Sequence, residues 1–192
     1  MIAVALCLII LQLALDSYLA PVLMLLNIGM AVLYNMGTNA FLGQTSYITK
    51  AISAVLQLGV TMDFAIFLYH SYKAEKEKAS NNDEAMTTAI AKTLVSVLGS
   101  SLTTIAGFLA LCSMNLTLGK DIGLVMAKGI LIGVITAVTT LPAMLLVFDK
   151  WVEKTKHKEI LPRFEKVKNF NLKHYKAILV AFIVILPFAV YG

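Results

Sequence analysis

Hydrophobic residues in this chain are gathered into long runs that polar segments interrupt at intervals. Most runs are long enough, at about 1.5 Å per residue in a helix, to approach or exceed the roughly 30 Å of a bilayer's hydrocarbon core. Six such runs are present, at residues 1–15, 19–36, 48–71, 93–114, 122–148 and 177–192. The pattern predicts an all-α fold: a polytopic transmembrane helix bundle of about six spans.

The polar segments between the runs indicate where helices start and end. Asp16 lies at the end of the first run, and Pro21 stands near the start of the second run. Proline favours the first turn of a helix, so a very short turn is expected to join two antiparallel helices. Residues 37–47 are rich in Gly, Thr, Asn, Gln and Ser and predict a loop.

Two further boundaries lie around the fourth and fifth runs. Asn82 or Asp83 is expected to cap a short surface helix over 84–92, ahead of the fourth run. Pro142 stands near the end of the fifth run and predicts a kink there. Neighbouring helices or the two preceding threonines can satisfy the backbone groups that such a kink releases.

The basic residues predict how the spans are oriented. Segments 72–92 and 149–176 hold thirteen of the sixteen lysines and arginines. Lysine-rich loops remain in the cytoplasm, so both segments are predicted to be cytoplasmic and both ends of the chain to lie on the outer side. Apolar positions recur within 149–176, and we predict a basic amphipathic linker that lies on the anionic leaflet.

The composition agrees with a membrane protein, since 59% of the residues are hydrophobic and 14% are charged. Cys7 and Cys112 lie far apart in apolar runs and are interpreted as small core residues without redox chemistry. The first run lacks the basic start and cleavage site of a signal peptide. A chain that opens within a membrane span is expected to be a fragment of a longer protein.

Asp63 is the most informative residue in the chain. It is the only Asp, Glu, Lys, Arg or His in residues 51–69, and a charged Asp in mid-membrane costs about 2.5–3.5 kcal/mol. Such a residue needs a partner, water or a proton. One interpretation is that Asp63 takes up and releases protons and so moves the helices around it. The other is that it is a hydrogen-bonded structural residue.

Other polar residues also lie within the spans. Thr61 precedes Asp63, and Lys128 lies on the fifth run. Lys128 either pairs with Asp63 or extends to the outer interface, where Asp121 lies. The fourth run carries four hydroxyls, which either bond to carbonyls of their own helix or form a proton relay. They belong to Ser96, Ser100, Thr103 and Thr104.

Small residues at four-residue spacing predict close helix contacts. On the fourth run they are Gly99, Thr103 and Gly107. The fifth run carries two such stripes on different faces, so we expect other helices to surround it. The two stripes are Gly119, just before the run, with Gly123 and Ala127, and Gly129, Gly133 and Ala137.

Enzymatic chemistry has no residues to support it in this sequence. We find no nucleophile–base pair, phosphate-binding loop, metal-ligand spacing or second intramembrane carboxylate. No catalytic residue, metal or cofactor is therefore expected, and the lysine-rich loops do not resemble a nucleic-acid-binding face.

The segment Gly59-Val-Thr-Met-Asp63-Phe-Ala-Ile-Phe-Leu68, with the basic helix end that follows it, resembles the fourth transmembrane helix of MmpL-type transporters. These form a branch of the resistance-nodulation-division (RND) superfamily. The resemblance continues through Gly123-Leu-Val-Met-Ala-Lys128-Gly and Leu141-Pro-Ala-Met-Leu145. It places the six runs on helices two to seven of a twelve-helix protein. In related eukaryotic proteins, helices two to six of this layout are called a sterol-sensing domain.

The resemblance implies a proton-driven exporter of lipids or other hydrophobic molecules. Asp63 takes the place of the family's acid, and Phe64 replaces the tyrosine that normally follows it. Asp63, Thr61, Phe64 and Lys128 are the candidate proton-relay residues. A second transmembrane half and porter domains are the implied partners, besides membrane lipids and a hydrophobic substrate.

The sequence therefore predicts three parts: a five-helix bundle at 1–148, the cytoplasmic basic linker at 149–176, and, at 177–192, the start of the first helix of a second half. The expected location is the plasma membrane. An alternative function is a lipid-sensing or partner-binding transmembrane module without transport activity.

Overall fold

The computed structural model of the chain describes residues 2–42, 46–114, 116–157, 173–176 and 179–180. The chain divides into two units, residues 1–158 and residues 159–192. In the second unit the described residues are helical. Most of the basic linker and of the sixth apolar run lies outside the described residues.

The described part of the first unit is a set of helices with short connections, which confirms the all-α prediction. An isolated antiparallel bridge between Ser17 and Lys156 is its only extended pairing. A short 3-10 helix at Thr38–Leu42 follows the second α-helix. The α-helices are α1 (Ile2–Ala14), α2 (Leu19–Gly37), α3 (Tyr47–Lys76), α4 (Asn82–Leu111), α5 (Thr117–Val138), α6 (Thr140–Val147) and α7 (Asp149–Lys154).

Four segments of the described chain are long and apolar enough to cross a membrane. They are Leu19–Ala40, Tyr47–Lys76, Asn82–Leu111 and Thr117–Val147, the last of which joins α5 and α6. The apolar helix α1 is shorter, with 13 residues. The chain is thus a multi-pass membrane protein, with five of the predicted apolar runs forming helices as expected.

The prediction of a separate surface helix over 84–92 is wrong. Residues Asn82–Leu111 form one continuous helix of 30 residues, capped by Asn81, whose side-chain oxygen accepts the backbone N–H of Glu84 at 2.7 Å. No Gly or Pro interrupts the chain between Asn82 and the fourth apolar run. Ala85, Met86 and Ala89 are buried, so packing holds this first part of α4 in the bundle.

The predicted kink near Pro142 is confirmed as a break between α5 and α6. Pro142 has no N–H to offer the carbonyl of Val138, and its ring crowds that carbonyl, so the regular helix ends at Val138. Thr139 lies at the break, where its hydroxyl donates to the carbonyl of Ile135 at 2.6 Å. That carbonyl also accepts the backbone N–H of Thr139 at 3.0 Å, so satisfaction by a threonine of the carbonyl that Pro142 leaves free, on Val138, stays a prediction.

Helix α5 lies at the centre of the bundle and packs against α2, α3 and α4. A Cβ atom built on Gly123 would lie 2.5 Å from the backbone oxygen of Phe108 in α4. One built on Gly133, on another face, would lie 2.6 Å from the hydroxyl oxygen of Thr61 in α3. A Cβ atom built on Gly129 would lie similarly close to the side-chain amide of Asn35 in α2. The two predicted small-residue stripes therefore do allow other helices to surround α5.

The stripe on α4 behaves differently. Gly99, Thr103 and Gly107 are exposed, and a Cβ atom on either glycine would meet no atom of another described element within 4 Å. In the described chain the close helix contacts are made by the glycines of α5. A helix-packing role for the α4 stripe stays a prediction.

Substituting Gly123→Ala should destabilise the bundle, because the new methyl group meets a backbone oxygen that can move only if α4 moves. Overpacking of this kind costs about 1–3 kcal/mol. The matched control is Gly99→Ala, where the methyl group meets open space. Thermal unfolding in detergent should show a lower midpoint for Gly123→Ala and an unchanged or higher midpoint for Gly99→Ala. Equal midpoints for both variants would contradict the close approach of α4 and α5.

Candidate functional site

A groove of about 560 Å³ lies between α3 and α4 and contains Asp63. Its walls are mainly apolar, with three hydroxyl-bearing residues on the α4 side. The lining residues are Val60, Asp63, Phe64, Ile66 and Phe67 of α3 and Ser96, Val97, Ser100 and Thr104 of α4.

Asp63 lies near the middle of α3, about 24 Å along the helix axis from Tyr47. Its side chain is exposed to the groove. Within the described ranges it forms no ion pair and no hydrogen bond with another side chain. A carboxylate in this position has room for water, a proton or a further helix beside it.

The hydroxyls of α4 bond mainly to their own helix. Thr103 and Thr104 both donate to the carbonyl of Ser100 at 2.8 Å. For these two threonines the structure follows the first of the two interpretations that the sequence left open, bonding within the helix. The oxygen of Thr104 keeps its acceptor capacity at the edge of the groove, since its proton is already used.

Phe64 is the one other candidate relay residue that lines the groove. Its side chain is buried and belongs to an apolar cluster with Val97, Ile130, Val134 and Ala137. The ring therefore fixes the side of the groove where α3, α4 and α5 meet. With no hydroxyl, it offers Asp63 no hydrogen bond.

Thr61 lies on the opposite side of α3. Two residues correspond to about 200° of helical rotation, so Thr61 and Asp63 point in nearly opposite directions. The Thr61 side chain is fully buried against Gly133 of α5 and does not line the groove. The structure thus does not bring Thr61 into the same site as Asp63.

Lys128 extends to the end of α2. Its ammonium group donates to the backbone oxygen of Asn35 at 3.0 Å, to the hydroxyl of Thr38 at 2.9 Å and to the side-chain oxygen of Asn39 at 2.6 Å. The negative end of the α2 dipole lies there and favours a cation. Of the two open interpretations, the structure therefore follows extension toward the predicted outer interface, with acceptors at the end of α2 and in the following 3-10 helix in place of Asp121.

A buried amide network next to Lys128 was missed from the sequence. Asn35 donates to the side-chain oxygen of Gln57 at 2.7 Å, and Gln57 donates to the backbone oxygen of Gly129 at 3.0 Å. The signal was present: polar side chains recur every four residues on the inner face of α3. They are Thr49, Ser53, Gln57 and Thr61, all fully buried. The network joins α2, α3 and α5.

A second polar cluster at the lysine-rich end of the bundle was also missed. Tyr69 donates to Asp16 at 2.9 Å, and Lys73 forms an ion pair with the same carboxylate at 2.8 Å. One turn further along α3 the arrangement repeats with another tyrosine, another lysine and Asp149.

In this second arrangement, Tyr72 donates to Asp149 at 2.9 Å, and Lys76 forms an ion pair with Asp149 at 2.6 Å. Asn82 of α4 donates to the other oxygen of the same carboxylate at 2.9 Å. We call the two groups together, Asp16 with Tyr69 and Lys73 and Asp149 with Tyr72, Lys76 and Asn82, the clasp. It ties α3 to the turn between α1 and α2, to the start of α4 and to α7. Its sequence signal is a tyrosine and a lysine four residues apart, twice on α3.

The pKa of Asp16 reflects its hydrogen bonds and ion pair with Tyr69 and Lys73. Burial acts to raise this pKa, but the hydrogen bonds from Lys73 and Tyr69 and the charge of Lys73 outweigh burial. The net effect holds the pKa of Asp16 below its ordinary value of 3.8. The carboxylate is therefore charged at neutral pH and stabilises the folded state in that form.

In this structure the helices pack around a central helix that carries glycines, and one acid lies in a groove at mid-span. These features define the class of protein: a polytopic membrane protein with an ionisable group inside the bilayer. Comparison with known families specifies the class further. The chain belongs to the MMPL family, whose sequence profile matches residues 1–173. This confirms the resemblance to MmpL-type transporters.

Individual relatives agree with the family. The chain is 33% identical over 129 residues to the putative membrane protein ActII-3 of Streptomyces coelicolor, which covers 67% of the chain and 18% of that protein. It is 29% identical over 140 residues to the probable transport protein MmpL4 of Mycobacterium leprae, covering 70% of the chain and 15% of that protein.

The hopanoid transporter HpnN of Rhodopseudomonas palustris is 29% identical over 101 residues, covering 53% of the chain and 12% of that protein. The chain thus spans less than a fifth of the length of each of these three relatives.

Replacing Asp16→Asn should lower the free energy of unfolding at pH 7 by about 1–2 kcal/mol, since a charged acceptor of two hydrogen bonds is lost at a partly exposed site. The lowered pKa makes this contribution fully present above pH 3.8 and progressively lost as the pH falls through the folded-state pKa. Unfolding midpoints of the two proteins should therefore converge in acid.

Asp121→Asn serves as the matched control, because Asp121 takes no part in the clasp. Its unfolding midpoint at pH 7 should match that of the unsubstituted protein. A gap between the unsubstituted protein and the Asp16→Asn variant that stays constant from pH 7 to pH 3 would contradict the pKa argument.

Proposed function

We propose that this chain is part of an exporter of lipids or other hydrophobic molecules that is driven by the proton-motive force, with Asp63 as its protonatable carboxylate. The observation that carries the proposal is the position of Asp63. It lies in mid-span, faces a groove of about 560 Å³ and lacks a neutralising side chain in the described chain.

Membership of the MMPL family supports transport. One relative is named as a hopanoid transporter, and hopanoids are lipids, which supports a hydrophobic substrate. Transport is an activity of a whole protein several times longer than this chain, so a second transmembrane half and porter domains belong to the proposal as its partners.

The chemistry that we propose is a change of charge. A charged carboxylate requires hydration in the groove, whereas a protonated one tolerates contact with an apolar helix surface. Binding a proton therefore favours closure of the groove, and release favours opening. The membrane potential supplies about 2.3 kcal/mol per charge per 100 mV, to which any pH difference is added.

The four candidate relay residues then divide by location. Asp63 and Phe64 line the groove, so the acid holds the proton and the ring excludes water from one side. Thr61 lies against Gly133, Lys128 donates to the end of α2 and the following 3-10 helix, and neither lines the groove that contains Asp63. Their proposed contribution is to hold α3 against α5 and α5 against α2, which determines where Asp63 points.

Asp63→Asn in the full-length protein should abolish proton-driven export, because an amide cannot exchange a proton in this pH range. Export of a fluorescent lipid would be measured in vesicles with an imposed pH gradient. Asp121→Asn is the matched control and should export normally. Export by the Asp63→Asn variant with unchanged proton dependence would overturn the mechanism.

A second candidate function, a lipid-sensing or partner-binding module, has one observation in its favour. The small-residue stripe of α4, with Gly99, Thr103 and Gly107, is exposed and open to a lipid chain or a helix. Under this function Thr103→Phe should abolish binding of a photoactivatable lipid, while Asp63→Asn leaves it unchanged. Loss of export in Asp63→Asn with normal lipid labelling in both variants would exclude this function.

A further inference from the structure

Helix α7 is oriented by the clasp. Asp149 is buried and held by Tyr72, Lys76 and Asn82, and Val152 is buried on the same side. A short helix fixed on one face must present its other face outward. On α7 that outward face carries Trp151, which is 68% exposed.

Apolar exposure continues from α7 into the end of α6. Val147 is 75% exposed and Phe148 is 39% exposed, and both directly precede α7. Tryptophan and other aromatic side chains concentrate where a membrane's hydrocarbon meets its headgroups. This run lies at the end of a candidate membrane span, Thr117–Val147, which is the position of that boundary.

Two lysines flank the exposed tryptophan. Lys150 and Lys154 lie four residues apart on α7, and Lys154 lies three residues after Trp151, so these side chains are neighbours on the helix surface. Both lysines are exposed. We call Val147, Phe148, Lys150, Trp151 and Lys154 the α7 patch.

The lysines of the α7 patch differ from others at this end of the bundle. Lys76 pairs with Asp149, and Lys92 pairs with Glu75 at 2.8 Å. In the described part of the chain, Lys150 and Lys154 form no ion pair and no hydrogen bond through their side chains. Their charges are available to an anion outside the chain.

We propose that the α7 patch binds anionic phospholipid of the cytoplasmic leaflet. The apolar side chains, Val147, Phe148 and Trp151, contact the upper acyl chains, while Lys150 and Lys154 contact the phosphate groups. The bilayer is the source of the anion because the two lysines lie beside exposed apolar side chains that water does not favour. The proposal concerns this surface alone and does not depend on Asp63 or on transport.

The test uses fluorescence, since Trp151 is the only tryptophan of the chain. The protein is placed in nanodiscs with equal amounts of phosphatidylcholine and phosphatidylglycerol. Two preparations are compared: in one only the phosphatidylcholine carries bromine atoms on its acyl chains, and in the other only the phosphatidylglycerol does. Bromine quenches tryptophan on contact. We expect stronger quenching when the anionic lipid is brominated, with a lipid preference of about fivefold for each of the two interfacial lysines.

The double variant Lys150→Gln and Lys154→Gln should still be quenched but should lose the preference between the two lipids. The matched control is Lys92→Gln, a paired lysine at the same end of the bundle, which should keep the preference. Quenching of Trp151 by aqueous acrylamide and by neither lipid would overturn the proposal. Equal quenching by both lipids in the unsubstituted protein would overturn it too, as would a preference that survives in the double variant.

Discussion

The contact between the glycines of α5 and its neighbours is the constraint on which the other features depend. Gly123 lies against a backbone oxygen of α4, and Gly133 lies against Thr61 of α3. The hydrophobic effect does not draw helices together within lipid, so close packing and a few hydrogen bonds must hold them. Once Thr61 faces α5, the period of the helix turns Asp63 away from α5 and into the groove beside α4.

Much of the fold follows from hydrophobicity and from single breaker residues. The apolar runs predict the helices, and Pro142 predicts the break at Thr139, because both effects are local to the sequence. The continuity of α4 was missed because its first turns look polar, whereas burial of Ala85 and Met86 against other helices decides their conformation. That burial is a tertiary effect, which a pattern along one helix does not contain.

The candidate site was predicted less completely than the fold. Asp63 was identifiable from its cost in a membrane, but its direction depends on which helix occupies the other face of α3. The same limit applies to Lys128, whose acceptors at the end of α2 and in the following 3-10 helix lie about ninety residues away in sequence. The clasp was missed since tyrosines and lysines are common at helix ends, and only the fold brings Asp16 and Asp149 to them.

Helix α3 is uninterrupted from Tyr47 to Lys76, and both Asp63 and the clasp belong to it. About 20 Å of regular helix separates the acid from Lys76, with no proline, glycine or irregular turn between them. The segment from Asp63 to Lys76 is therefore a rigid helix without a hinge. If α3 rotates at mid-membrane, the end of α3 that carries Lys73 and Lys76 rotates by the same angle. The turn between α1 and α2 and helix α7 must then move with α3, or Asp16 and Asp149 lose their hydrogen bonds to it.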